Sequence, residues 1–486
     1  MSHRVTLIPG DGVGPEITAA ARRVIDAAGV AITWEEAEAG AEVFKRGDTT
    51  GVPRETADSI ARTRVALKGP LETPVGFGEK SANVTLRKLF ETYANIRPAR
   101  QMPGVPTRYA GEGVDFIVVR ENIEDLYAGV EYLETRDVAV ALKIISRKGS
   151  EKIIRYAFEL ARREGRTKVT VATKANILKL TEGMFKRIGE EIAAEYPEVI
   201  HQHLIIDNVA HQMVKDPAQF DVIVTTNLAG DIISDLASGL VGGLGFAASG
   251  NYGDDVAIFE AVHGSAPKYA GKNVINPTAL ILSAAMMLRH LGEQDAAQRV
   301  EDAVNVTLAE GQAVTLDVAR QQGDVEQSTS TSGFADAVIA NLGRRPEQVL
   351  TRQRDIPAAA PEPRPRWSYD RADRAAATET IGVDVYIESE DGPEALGEHL
   401  RTAAGADFHL AAVTSRGTIA WPAGSARIDS VGWWSARFTA STTNATITDA
   451  EILGLLGRVG ERYRWMDVQK LTTFGSEEGF TRAQGE

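Results

Sequence analysis

A layered α/β fold followed by a separate α+β domain is what the sequence predicts, and three observations predict it. Runs of β-branched residues alternate with amphipathic stretches over roughly the first 345 positions. A segment rich in Pro and Arg then breaks the pattern, and strand-like and helix-like segments resume beyond it. A chain of 486 residues is also too long for one compact core.

In chain order, Val5–Ile8, Val65–Leu67, Phe116–Val119, Val169–Ala172, Leu204–Ile206 and Val222–Thr225 are short, β-branched and bounded by turn formers, so each is expected as a strand. Glu16–Ala28 and Glu151–Glu164 carry apolar residues at helical spacing, the second opening after Ser150. Ala279–Arg289 is apolar on nearly every side, which predicts a buried helix in a core or a subunit interface. Between about Gly343 and Thr380, Pro346, Pro357, Pro361, Pro363 and Pro365 make linker chemistry. Val383–Ile387, Phe408–Thr414 and Val431–Thr439 then read as strands, and Glu394–Ala404 and Ala450–Tyr463 as helices. They form a second domain of about 105 residues in which Trp421, Trp433, Trp434 and Trp465 serve as core or interface aromatics.

Composition excludes several classes of function. Lys plus Arg number 53 against 67 Asp plus Glu, for a net charge of −14. That balance disfavours nucleic acid and membrane surfaces, which are themselves anionic, but local Arg clusters still admit small anions. With no cysteine, disulfides, Cys-based zinc sites and thiol nucleophiles are all ruled out. The start MSHRVTLIPG has neither the apolar core of a signal peptide nor the basic helix of a transit peptide, and no window is long and apolar enough to span a bilayer. A cytoplasmic protein is expected.

Four clusters carry chemistry. Ser81, Asn83 and Arg87 stand together, with Asn83 and Arg87 four apart on one helical face, and Arg97 and Arg120 follow. Forked guanidiniums match carboxylates bidentately, so three converging would suit a polycarboxylate; dispersed, they would be ordinary surface ion pairs. Asp231 and Asp235 are also four apart, flanked by Ile232, Ile233 and Leu236. Two carboxylates so placed repel one another unless a hard cation such as Mg²⁺ or Mn²⁺ lies between them. Lys174 follows the strand Val169–Ala172, where partial desolvation would make it a usable base, and Asp207 ends the strand Leu204–Ile206 as a further metal oxygen or a partner for that lysine. Glu260–Gly271 mixes His263, Gly264, Lys268 and Tyr269 in a loop able to bring donors to phosphates. Neither the G-x-G-x-x-G dinucleotide fingerprint nor a P-loop is present, so nothing supports cofactor binding of the Rossmann kind.

Taken together, the segments IPGDGVGPE (Ile8–Glu16), KGPLETPVG (Lys68–Gly76), NLAGDIISDLASGLVGGLG (Asn227–Gly245) and HGSAPKYAGKNVINP (His263–Pro277) closely resemble the metal-dependent β-decarboxylating dehydrogenases of the isocitrate/isopropylmalate dehydrogenase family. The likeness covers about residues 1–345, and the extension looks like that of a bacterial isocitrate-specific subgroup. It implies a large domain from residues 1–92 and 242–344, an inserted small domain at 93–241 with a dimer clasp near 125–146, a linker at 345–380 and a C-terminal α+β domain at 381–486.

The same resemblance implies oxidative decarboxylation of isocitrate to 2-oxoglutarate with NADP and Mg²⁺ or Mn²⁺, as in the tricarboxylic acid cycle, by a homodimer with shared active sites. Ser81, Asn83, Arg87, Arg97 and Arg120 would bind substrate. Asp231 and Asp235, with Asp207 of a second chain, would hold the ion. Lys174 would help deprotonate the C2 hydroxyl, and Tyr127 would protonate C3. Thr73, His263, Gly264, Lys268, Tyr269, Asn276 and Arg320 would bind the cofactor, a Lys and a phenol suiting a 2′-phosphate. Two departures stand out: Leu316 replaces a Tyr that some NADP users carry four residues before the Arg, and Glu72 replaces a threonine near the nicotinamide. The family's alternatives are an NAD-dependent enzyme, a homoisocitrate or 3-isopropylmalate dehydrogenase, and a non-catalytic regulatory subunit.

Overall fold

The computed structural model describes residues 2–72, 81–348, 350, 378–422, 429–442 and 445–482. The chain divides into two units, Met1–Ala128 with Ile144–Trp367, and Gly129–Lys143 with Ser368–Glu486.

Ten strands build the sheet of the first unit. In chain order they begin with β1 (His3–Ile8), β2 (Ile32–Glu36), β3 (Val65–Lys68), β4 (Ala94–Arg100) and β5 (Asp115–Glu121). A separate hairpin, β6 (Glu131–Leu133) with β7 (Ala139–Ala141), belongs to the second unit. The large sheet resumes with β8 (Lys168–Thr173), β9 (Ile200–Ile205), β10 (Val222–Thr225), β11 (Ala248–Tyr252) and β12 (Ala257–Ala261). Their spatial order is β2-β1-β3-β12-β11-β4-β5-β10-β8-β9. Both wings are parallel, and the centre, where β12, β11, β4 and β5 meet, is antiparallel. Strands from residues 2–92 and 242–344 fill one half and strands from 93–241 the other.

The helices of this unit are α1 (Gly14–Ala27), α2 (Ala41–Lys45), α3 (Arg54–Thr63), α4 (Ala82–Leu89), α5 (Arg147–Arg163), α6 (Thr181–Ala193), α7 (Ile206–Lys215), α8 (Asn227–Leu240), α9 (Thr278–His290), α10 (Gln294–Glu310), α11 (Leu316–Gln322) and α12 (Thr331–Ala340). Alternation along the strands assigns side chains to opposite layers. Val5, Leu67, Ile96, Val119 and Phe259 join one continuous core with α1, α5, α9, α10 and α12. On the other face the apolar packing is divided: Ala66, Ile258, Ala82 and Leu86 form one cluster, Phe116, Val118, Val209 and Ile233 another. Polar side chains occupy the gap between those two clusters, and the functional site lies there.

Two expectations change and a third holds. The helix expected after Ser150 begins one turn earlier, because Ser146 caps it by accepting from Gly149 N at 2.9 Å; Ser150 lies inside, its hydroxyl donating to Ser146 O at 2.8 Å. The strand expected at Leu204–Ile206 spans Ile200–Ile205, and Ile206 opens α7, so Asp207 stands in a helical first turn instead of at a strand end. The helix α9 is deeply buried, as its sequence predicts.

In the second unit, β13 (Thr378–Glu388), α13 (Pro393–Ala404), β14 (Phe408–Ser415), β15 (Thr418–Trp421), β16 (Trp433–Ala440), α14 (Asp449–Gly460), β17 (Arg464–Phe474) and β18 (Glu477–Glu478) follow one another. The sheet runs β15-β14-β16-β13-β17-β18 and is antiparallel. Without its edge strands this is a β-α-β-β-α-β unit with its own core, in which Val385, Leu400, Phe438 and Leu455 pack. A capping box, Thr448 with Glu451, starts α14. Trp434 is core, but Trp465 is 42% exposed. Most of the expected linker lies outside the described residues. Among the described residues no helix is long and apolar enough to cross a membrane.

Candidate active site

The loop motifs of the sequence are joined before any ligand enters. Gly12, at φ +58°, lies so close to Ser265 O that a Cβ would stand 2.0 Å from it, and Val13 N donates to that same oxygen at 2.9 Å. Glu16 accepts from Asn273 N at 2.7 Å. The first motif therefore packs on the Glu260–Gly271 loop through its own backbone.

Asp231 lies one turn into α8. Its Oδ1 accepts from Arg120 and, at 3.2 Å, from Arg97 Nη1, while Oδ2 accepts from the Tyr127 hydroxyl at 2.5 Å. Gly230 makes this possible, since a Cβ there would stand 2.6 Å from Arg120 Cγ. Arg120 also donates to Asn227 Oδ1 at 2.8 and 3.1 Å, and its guanidinium sits 4.8 Å over the Tyr127 ring. Arg97 adds Ser234 Oγ at 2.7 Å and Asp235 Oδ1 at 3.5 Å. Arg87 donates to Glu260 Oε1 at 3.2 Å, and Glu260 also pairs with the fully buried Lys68. Neither Lys68 nor Glu260 is given a role by the sequence. Glu260 opens the quoted loop motif, and the signal that would have found the pair is a charged residue at each of two facing strand ends.

A cavity of about 290 Å³ opens among Lys68, Asn83, Arg87, Arg97, Glu260 and His263. Among the described residues, buried Asn83 Oδ1, Arg87 Nε and His263 Nε2 have no hydrogen-bond partner. Three unsatisfied polar atoms around one cavity mark a place for a polar ligand. Asn83 and Arg87 share one face of α4, with Ser81 at its N-cap position.

Electrostatics follow the same arrangement. Burial, then the charges of Arg97 and Arg87, pull the pKa of Arg120 down to about 9, which still leaves a cation at neutral pH. Burial acts to raise Asp231 and Glu260, but Arg120 and Arg97 outweigh it at the first and Lys68 and Arg87 at the second, so both carboxyls sit below their usual range. At Asp235 burial prevails over Arg97 and, with the neighbouring Asp231 charge, pushes the carboxyl up. Burial, then the bond to Asp231, raises the Tyr127 phenol, which keeps its proton. Burial lowers His263 and favours the neutral ring.

Lys174 and Asp207 do not join this group. Lys174 Nζ donates to Asp207 Oδ1 at 2.6 Å, the two are 36% and 68% exposed, and neither lines the cavity. Asp231 and Asp235 offer the oxygen donors a hard divalent ion takes. Among the described residues no three metal-ligating side chains gather. Among the residues expected to bind the cofactor, Arg320 on α11 reaches the Tyr269 hydroxyl at 3.4 Å, beside Lys268, and lowers that phenol's pKa. The phenol next to Arg320 thus comes from position 269 instead of 316. Asn276 bonds Asp317 at 3.0 Å, His263 Nδ1 lies 3.0 Å from the carbonyl of Gly264, and Thr73 is outside the described residues.

Residues 4–338 match the isocitrate/isopropylmalate dehydrogenase family, and residues 378–486 match the bacterial isocitrate dehydrogenase C-terminal domain. The chain belongs to the isocitrate/isopropylmalate dehydrogenase family. It is 54% identical to the NADP isocitrate dehydrogenase of Thermus thermophilus over 99% of this chain and 96% of that one. A crystal structure of a protein from Thermus thermophilus superposes with a TM-score of 0.91 at 53% identity, covering 99% and 96% of the two chains. The isocitrate dehydrogenase structure from Methylococcus capsulatus gives 0.67 at 50% identity, covering 70% of this chain and 99% of that one. The fold is accordingly that of the family, with large and small subdomains and a distinct C-terminal α+β domain.

Proposed function

We propose that this chain oxidises isocitrate with NADP and decarboxylates it to 2-oxoglutarate, the reaction of the tricarboxylic acid cycle, with Mg²⁺ or Mn²⁺ and as a homodimer. One observation carries the reading: in a protein of net charge −14, Arg87 and Arg97 line one cavity, and Arg97 and Arg120 meet on Asp231 Oδ1. Three cations that repel one another, Arg97 and Arg120 buried and Arg87 largely so, are matched by a ligand carrying several carboxylates.

When bound, NADP accepts the hydride and the divalent ion stabilises the negative charge that develops as CO₂ leaves. The chain's own residues do the remainder. The arginines bind and orient the carboxylates, with Ser81 and Asn83 disposed toward the third. Tyr127 holds a proton on its phenol oxygen beside Asp231 and delivers it to C3. Lys174 takes the C2 hydroxyl proton in the site of a second chain, and Asp207 accompanies it there to complete the carboxylate set of Asp231 and Asp235. Their exposure away from the cavity supports this shared site. Lys268, Tyr269 and Arg320 receive the 2′-phosphate, while His263, Gly264 and Asn276 serve the remainder of the cofactor; Thr73, outside the described residues, is assigned to the cofactor by sequence resemblance alone. The large domain comprises 1–92 and 242–344, and the small domain 93–241.

Initial rates with isocitrate and Mn²⁺, run in parallel with NADP and NAD, test the reading. Metal-dependent turnover favouring NADP is expected. Faster turnover of 3-isopropylmalate or homoisocitrate would overturn the substrate, and activity in a sedimenting monomer would overturn the shared site.

A further inference from the structure

A continuous polar row crosses the large sheet on the face where the apolar packing is divided. It runs from Lys68 on β3 through Glu260 on β12, Asn251 on β11, and Asn95 and Arg97 on β4, to Arg120 on β5. Strand register sets Lys68 opposite Glu260, Asn251 opposite Asn95, and Asn95 opposite Arg120. Asn251 is its centre. The side-chain NH₂ donates to Glu260 Oε1 at 2.8 Å and to Ile258 O at 3.1 Å, and Oδ1 accepts from Asn95 at 2.8 Å and Asn122 at 2.9 Å. Those four bonds use every donor and acceptor an amide possesses. They also decide which way round it lies, since the reversed amide would turn its oxygen on the Glu260 carboxylate and its NH₂ on two other donors.

Two of these partners of Asn251 each hold one arginine. Glu260 accepts from Arg87 Nη2 at 3.2 Å, and Asn95 Oδ1 accepts from Arg97 Nε at 2.6 Å. Arg87 and Arg97 both line the cavity. Asn95 and Asn251 are almost fully buried, where β-branched apolar residues would serve a central strand at least as well, so packing alone does not call for this row. What the row accomplishes is to fix two cations, one on helix α4 and one on strand β4, about one cavity.

We propose that Asn251 is a positioning residue for substrate binding: by holding Glu260 and Asn95 at once, its amide sets Arg87 and Arg97 in one register for a polycarboxylate. This rests on the isocitrate reading above. In the full-length dimer, Asn251→Ala is expected to raise KM for isocitrate about tenfold or more, with kcat within about threefold and KM for NADP unchanged. Asn95→Ala should raise the same KM, and the double variant should exceed the worse single one by no more than about twofold, because both break one linkage. A structural role alone would lower the melting temperature and leave KM where it was. A folded Asn251→Ala with unchanged isocitrate KM overturns the proposal, as does a double variant whose effects simply multiply. Should Asn251→Ala fail to fold, Asn95→Ser decides: a raised isocitrate KM supports the linkage and an unchanged one overturns it. Wild-type protein that does not turn over isocitrate would instead overturn the functional reading itself.

Discussion

Replacing Glu260 by Gln removes one charge from the most deeply buried ion pair of the site. Lys68 and Glu260 keep 2% and 8% of their side-chain surface, and Lys68 Nζ has in addition the Gly69 carbonyl at 3.2 Å. Glu260→Gln leaves the ammonium with neutral oxygens and no counter-charge, which costs about 3–5 kcal/mol for a pair at this depth. Burial already lowers the pKa of Lys68, and Glu260 is the largest influence opposing it. Without that carboxylate the folded-state pKa of the lysine falls further, while the unfolded chain keeps its proton up to about pH 10.5. The unfolded state then binds more protons, so the variant's deficit shrinks as pH rises toward that value. Urea titrations of wild type and variant at pH 7 and pH 10 read both numbers. A deficit at pH 7 below about 1 kcal/mol, or one that is no smaller at pH 10, would refute the reasoning.

Tyr127→Phe deletes the proton donor and leaves the arginines in place, so steady-state kinetics should show kcat lowered about 10²- to 10⁴-fold with little change in isocitrate KM. Lys268→Asp puts a carboxylate beside Tyr269 and Arg320; KM for NADP should rise about tenfold or more while KM for NAD changes far less. Burial, then the Glu124 charge, raises Glu121 from 4.5 to about 7. The folded state therefore binds more protons between those values, and stability falls by about 3 kcal/mol as pH climbs through them. Glu121→Gln should flatten that slope in denaturation curves taken from pH 4.5 to 7; an unchanged slope assigns it to another group.

The sequence made legible the elements whose residues obey one period. Val222–Thr225 is β-branched throughout and is β10 to the residue, and α9 and α13 lie where their apolar spacing puts them. Asn83 with Arg87, and Asp231 with Asp235, fall together because a helix brings every fourth residue to one face. The centre of the sheet was not legible, for the opposite reason. β4 reads ANIRPAR and β11 reads ASGNY, with Asn95, Arg97 and Asn251 buried where alternation leads one to expect apolar side chains. Those polar residues hide the strands and at the same time form the site. The capping of α5 by Ser146 in place of Ser150 was hidden differently: two serines four apart offer the same start signal, and only backbone geometry separates them.

The whole account turns on Asp231, which gathers Arg97, Arg120 and Tyr127 and presents an oxygen face with Asp235. Isocitrate-dependent NADP reduction by Asp231→Asn, titrated with manganese, tests it most directly. Turnover reduced about 10²-fold or more and a manganese requirement shifted to higher concentration are predicted. Wild-type turnover at wild-type manganese concentration would contradict it.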